Sequence, residues 1–117
     1  MLTRRHFVLS ATAAGAATAL AGCATPSSKA DAPLQWMHLP AGEKGFFRAP
    51  VLLSGEREAM LIDGGFSLPD GRAVVEAIKA SGKTLTTIYI SQSDPDYYFS
   101  LGPVKAAFPQ ARVIAAS

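Results

Sequence analysis

Two carboxylates one residue apart, Asp94 and Asp96, lie in the segment Ser91-Gln92-Ser93-Asp94-Pro95-Asp96-Tyr97-Tyr98-Phe99-Ser100-Leu101, with an amide and phenols beside them. Oxygen donors at this spacing could converge on one cation. Gln92, Asp94, Asp96 and, more weakly, Tyr97 are the candidate donors. Such a set suits magnesium, calcium or manganese better than zinc, which is usually held by imidazole or thiolate. Without a cation the two carboxylates would repel each other unless water screened them. The same residues also have ordinary uses. Asp94-Pro95-Asp96 can form a turn with Asp96 capping the next helix, the aromatic residues can pack, and Gln92 can satisfy a carbonyl at a strand end.

The preceding run Thr86-Thr87-Ile88-Tyr89-Ile90 is β-branched and aromatic and predicts a buried strand. Polar residues then arrive at its carboxyl end, where open α/β sheets usually build their sites. Upstream, residues 50–54 and 59–63 are short apolar runs joined by Gly55-Glu56-Arg57-Glu58, which predicts an antiparallel hairpin. The turn Asp63-Gly64-Gly65 ends it, the glycines allowing positive φ. Asp63 is expected to bond its own turn, the alternative being that it faces and orients the site loop.

Pro69-Asp70 opens a helix to about residue 81, with Asp70 as N-cap or first-turn acid, an apolar face of Val74, Val75 and Ile78, and Gly82 with Lys79 and Lys83 at its end. Residues 101–108 predict a second short helix, with Pro103 acceptable only in its first turn. Arg112 to Ala115 predicts a last strand. Residues 35–39 predict a first edge strand stopped by Pro40 and Gly42, in which His38 is a half-buried strand residue rather than a ligand. The order from Val51 onward is ββαβαβ, and strands separated by single helices imply parallel neighbours.

Thr3-Arg4-Arg5-His6-Phe7-Val8-Leu9 resembles a twin-arginine export signal, and residues 10–22 are Ala/Gly-rich and too short for a stable membrane span. Leu20-Ala21-Gly22-Cys23 resembles a lipobox. Residues 1–22 are thus expected to be a signal peptide, with Cys23 lipidated; the alternative is an ordinary signal cleaved after Ala32. Cys23 is the single cysteine, so no internal disulfide can form. Residues 23–34 form a polar tether, and residues 35–117 the domain. Without Arg4 and Arg5 the 11 basic residues become nine, equal to the 9 acidic ones. A neutral mature chain has no basic stripe for nucleic acid. The expected partners are the twin-arginine export machinery and a membrane reached through Cys23, and the expected location is the periplasm or cell envelope.

Leu61-Ile62-Asp63-Gly64-Gly65, a helix, Thr87-Ile88-Tyr89-Ile90-Ser91, the Asp-rich loop and Phe108-Pro109-Gln110-Ala111-Arg112-Val113-Ile114-Ala115 resemble, in order and spacing, the first half of the metallo-β-lactamase fold. That resemblance implies an αββα, α+β sandwich represented by its N-terminal half, in a chain that is part of a longer protein whose second sheet would cover the inner face. In that family the loop reads His-x-His-x-Asp-His, then two glycines and a leucine, and holds a pair of metals, usually zinc. Here Gln92, Asp94, Asp96 and Tyr97 stand at the four ligand positions, Phe99 and Ser100 at the glycines, and Leu101 matches. Asp96 alone is kept, which implies that it would hold metal and orient the attacking water. A complete relative would use metal-bound hydroxide on an ester, lactone, thioester, amide or phosphoester. With these ligands the expectation is no cofactor or one divalent cation, and an inactive chain. The alternative is a non-catalytic envelope lipoprotein that binds a small ligand or partner protein through the aromatic loop.

Overall fold

The computed structural model describes residues 32–116. The expected signal peptide, Arg4, Arg5 and Cys23 lie outside them. Five strands form one sheet in the order β1 (Gln35–His38), β2 (Val51–Ser54), β3 (Glu58–Ile62), β4 (Thr84–Ile90) and β5 (Arg112–Ala115). The first three pair antiparallel and the last three parallel. Connection length explains the change: the Gly55 N–H donates to the Glu58 carbonyl at 2.9 Å and closes a hairpin, whereas helices α1 (Leu68–Ser81) and α2 (Leu101–Ala107) carry the chain back to start each later strand from the same end.

Helix α1 begins one residue earlier than the Pro-Asp signal implies, and its cap is Ser67, not Asp70. Ser67 is extended, and its hydroxyl accepts from the Asp70 N–H at 3.3 Å while the Asp70 carboxylate accepts from the Ser67 N–H at 3.0 Å. Asp70 therefore closes a capping box from the third helical position. Gly82 ends the helix in the left-handed region at φ 66°, with its N–H on the Lys79 carbonyl.

Register decides which face is covered. Leu52, Leu61 and Ile88 are cross-strand neighbours, all fully buried, and they join Val74, Val75 and Ile78 of α1 and Val104 of α2 in one core. Burying each such Leu or Ile contributes about 1.5–3 kcal/mol. The alternate set Trp36, Leu53, Met60, Thr87 and Arg112 faces the other way, and none of these is buried. The sheet is thus covered on one side by the two helices among the described residues. Exposed β1 includes His38, which was expected to be half-buried. No helix of the described residues is long and apolar enough to cross a membrane.

Gly71 brings α1 against the end of the site loop. A Cβ there would lie 2.3 Å from the Ser100 carbonyl oxygen, an approach that only glycine permits.

Candidate site at the carboxyl end of the sheet

The loop after β4 is held by the turn after β3. Asp63 adopts φ 61°, a left-handed conformation that Asp tolerates better than most residues. Its carboxylate does not bond its own turn. It accepts from both the Ser91 N–H and the Ser91 hydroxyl, each at 2.8 Å. Gly64 and Gly65 donate their N–H groups to the Tyr97 carbonyl at 2.6 and 3.3 Å, and the Ser100 N–H returns to the Gly65 carbonyl at 3.2 Å. Buried Ser100 also donates its hydroxyl to the Gly64 carbonyl. The expectation that Asp63 bonds its own turn is thus corrected: its carboxylate holds the start of the site loop, which was the alternative reading.

Within the loop, Pro95–Tyr97 forms one turn of 3-10 helix. Asp94 caps it, accepting from the Asp96 N–H at 3.3 Å. Asp96 does not cap α2; Ser100 stands at that position. Asp96 is turned instead toward Arg48, a residue to which the sequence attached no role. Arg48 Nη2 donates to Asp96 Oδ2 at 2.7 Å, Arg48 Nη1 donates to the Tyr97 hydroxyl at 2.9 Å, and the guanidinium carbon lies 4.6 Å from the centre of the Tyr97 ring. The pair is half-buried, at 31% exposure for the Arg48 side chain and 24% for Asp96. The hydrogen bond to Asp96 raises the guanidinium pKa above its ordinary value, against the opposing effect of desolvation, with Tyr97 and Asp94 adding smaller favourable fields. An arginine is charged at every ordinary pH in any case.

Two of the four candidate donors, Asp96 and Tyr97, thus meet one cation, and that cation is a guanidinium, while exposed Asp94 accepts from the Asp96 N–H. Gln92 is not with them. It lines a separate cavity of about 330 Å³ with Ile90, Tyr98, Leu101 and Val113. Nothing near Arg48 in the chain marks it, because its contact with Asp96 spans 48 residues. A basic residue in a connection before a strand is by itself only a solvated charge.

The donor set does not fit a metal. One Asp96 oxygen is taken by a charge-assisted hydrogen bond, Asp94 is engaged with the backbone, and a divalent ion would stand beside an arginine. Among the described residues no group of three or more His, Cys, Asp or Glu is placed to hold one.

Beside Arg48 runs an aromatic row. Phe46 meets Phe66 edge-on at 4.9 Å, Phe66 stacks on Phe99 at 5.9 Å, and Phe99 meets Tyr98 edge-on at 5.5 Å. Phe46 and Phe47 both have positive φ, 54° and 53°, which bulky residues rarely adopt. Phe46 is 58% and Phe99 54% exposed.

A mixed sheet with both helices on one face, and a polar loop at the end of its fourth strand, is an architecture with solved counterparts. The B3 metallo-β-lactamase BLEG-1 superposes with a TM-score of 0.58 at 19% identity, over 68% of this chain and 35% of that one. A mutant of the Cronobacter sakazakii metallo-β-lactamase described by its HARLDQ motif gives 0.55 at 23% identity, over 72% of this chain and 35% of that one. The described residues have the metallo-β-lactamase fold in part, and the chain spans about a third of the length of these structures. No protein-family model and no curated protein matches the chain.

Proposed function

We propose that this is an exported, lipid-anchored protein of hydrolase ancestry on the metallo-β-lactamase fold, whose loop no longer performs zinc hydrolysis and whose chain is inactive as it stands. The observation that carries this reading is the Arg48–Asp96 ion pair at 2.7 Å, which uses the one family ligand the sequence keeps. With its carboxylate neutralised from within, Asp96 has lost the free charge needed to hold a metal or orient a hydroxide.

The test is hydrolysis of ester, lactone, thioester and β-lactam reporters by the purified chain, with and without added zinc or manganese. The expected result is no metal-dependent turnover. Turnover that rises with zinc and disappears in Asp96→Ala would refute the reading.

Lipid anchoring is tested separately by feeding cells an alkyne palmitate. The label is expected on the wild-type chain in the membrane fraction and absent from Cys23→Ala. Equal labelling of both would remove the anchor.

A second reading, a non-catalytic module that binds a small ligand or partner protein, is favoured by exposed Phe46 and Phe99, joined through half-buried Phe66, since exposed aromatic surface of this kind often marks a binding face.

A further inference from the structure

We propose that Arg48 is the resident cation of the cradle formed by Asp96 and Tyr97, with Asp94 supporting its turn from outside, and that this cradle takes a guanidinium group in preference to a divalent metal. The inference rests on the reading that the loop descends from a metal cradle, and it adds what has replaced the metal.

Geometry separates the two kinds of cation. A guanidinium is planar and directs its N–H groups at fixed angles, and here two different nitrogens reach acceptors on two residues, Asp96 Oδ2 at 2.7 Å and the Tyr97 hydroxyl at 2.9 Å. Its face is also within 4.6 Å of the Tyr97 ring centre, inside the range of cation–π attraction. A divalent metal uses none of this directionality. Calcium requires six to eight oxygens at about 2.3–2.6 Å, and magnesium a near-ideal octahedron at about 2.0–2.1 Å. This loop presents one carboxylate accepting from Arg48, one accepting from a backbone N–H, and a phenol that also accepts from Arg48.

Charge leads to the same assignment. Asp94 and Asp96 would repel if left alone, and Arg48 lies in the field of both. The arginine is delivered by the connection between β1 and β2, far away in sequence, so one side chain both neutralises the site loop and fastens it to that connection. Arg48 Nε is buried and makes no hydrogen bond among the described residues, so the two terminal nitrogens carry the recognition.

The experiment follows thermal unfolding of the full chain and of Arg48→Met, which keeps length and removes charge. Arg48→Met is expected to melt several degrees lower and to regain most of that loss with millimolar methylguanidinium. The same concentration of methylammonium, magnesium or manganese should restore little. Calorimetric titration of the wild type with zinc or manganese should show no micromolar uptake. The proposal is overturned if Arg48→Met melts with the wild type, if a metal restores it as well as methylguanidinium does, or if the wild type takes up stoichiometric metal that Asp96→Asn abolishes.

Should Arg48→Met fail to fold, the double variant Arg48→Met/Asp96→Asn decides the matter. Removing both charges is expected to restore folding, or to cost less than the two single losses combined, because no uncompensated ion remains. A double variant no better than the worse single overturns the assignment. Metal uptake without turnover would defeat this inference and leave the proposed function standing; metal-independent turnover would do the reverse.

Discussion

Gly71→Ala is expected to lower the unfolding free energy of the chain by about 2–3 kcal/mol, the upper part of the range for overpacking a close contact. The cause is a single approach: the new methyl would lie 2.3 Å from the Ser100 carbonyl oxygen and 3.2 Å from its carbon. A backbone carbonyl cannot rotate away as a side chain can, and Ser100 is further fixed by its hydroxyl on the Gly64 carbonyl and its N–H on the Gly65 carbonyl. Relief therefore requires α1 to move off the site loop. Gly102→Ala is the control, since nothing lies within 4 Å of its added methyl. There the usual preference of helices for alanine over glycine should leave stability unchanged or raise it by up to about 1 kcal/mol. Urea unfolding followed by far-ultraviolet circular dichroism measures both. Equal midpoints for Gly71→Ala and the wild type would show that the helix and loop are not in the contact described.

Asp63→Ala should be at least as damaging, at about 4 kcal/mol when both bonds are taken at the lower end of their range. Hydrogen bonds to an ionised acceptor contribute about 1.5–3 kcal/mol, and Asp63 accepts two from Ser91. Alanine at φ 61° adds roughly 1 kcal/mol of backbone strain. Asp63→Asn keeps an acceptor and a residue that tolerates this conformation, so its loss should be about 1 kcal/mol, and Ser91→Ala, which removes only the hydroxyl, should match it. Hydrogen exchange supplies the local readout. The Gly64 amide, whose N–H donates to Tyr97, should exchange faster in Asp63→Ala than in Ser91→Ala. If all three variants exchange and unfold alike, Asp63 is not what secures the loop.

Those two positions illustrate where reading the chain succeeds and where it stops. The hairpin, both helices and the strand at Arg112–Ala115 follow from local periodicity and from Gly and Pro punctuation, and all are present within a residue or two. The edge strand β1 is present as well, though more exposed than its composition implied. Of the two places open to Asp70, N-cap or first-turn acid, the structure takes the second, and Ser67 becomes the cap because Asp70 folds back on it. Asp63 stands in a turn, and its partner 28 residues away is in the site loop, the alternative to bonding its own turn that local pattern could name but not choose.

The grouping of Asp96 with Tyr97 is legible because the two are adjacent in a loop leaving a strand, whereas Asp94, two residues earlier, bonds the Asp96 N–H rather than the same cation. Gln92, equally close in the chain, faces a different cavity, since alternation at the strand end sends it to another side. The identity of the cation belonged to the folded chain alone. Helices, strands and tight turns are written in spacings of two to four residues, so the linear chain specifies them directly. Arg48 reaches Asp96 only after a hairpin, a crossover helix and the central strand have closed the intervening distance, and no pattern shorter than that loop can encode which charge will meet which.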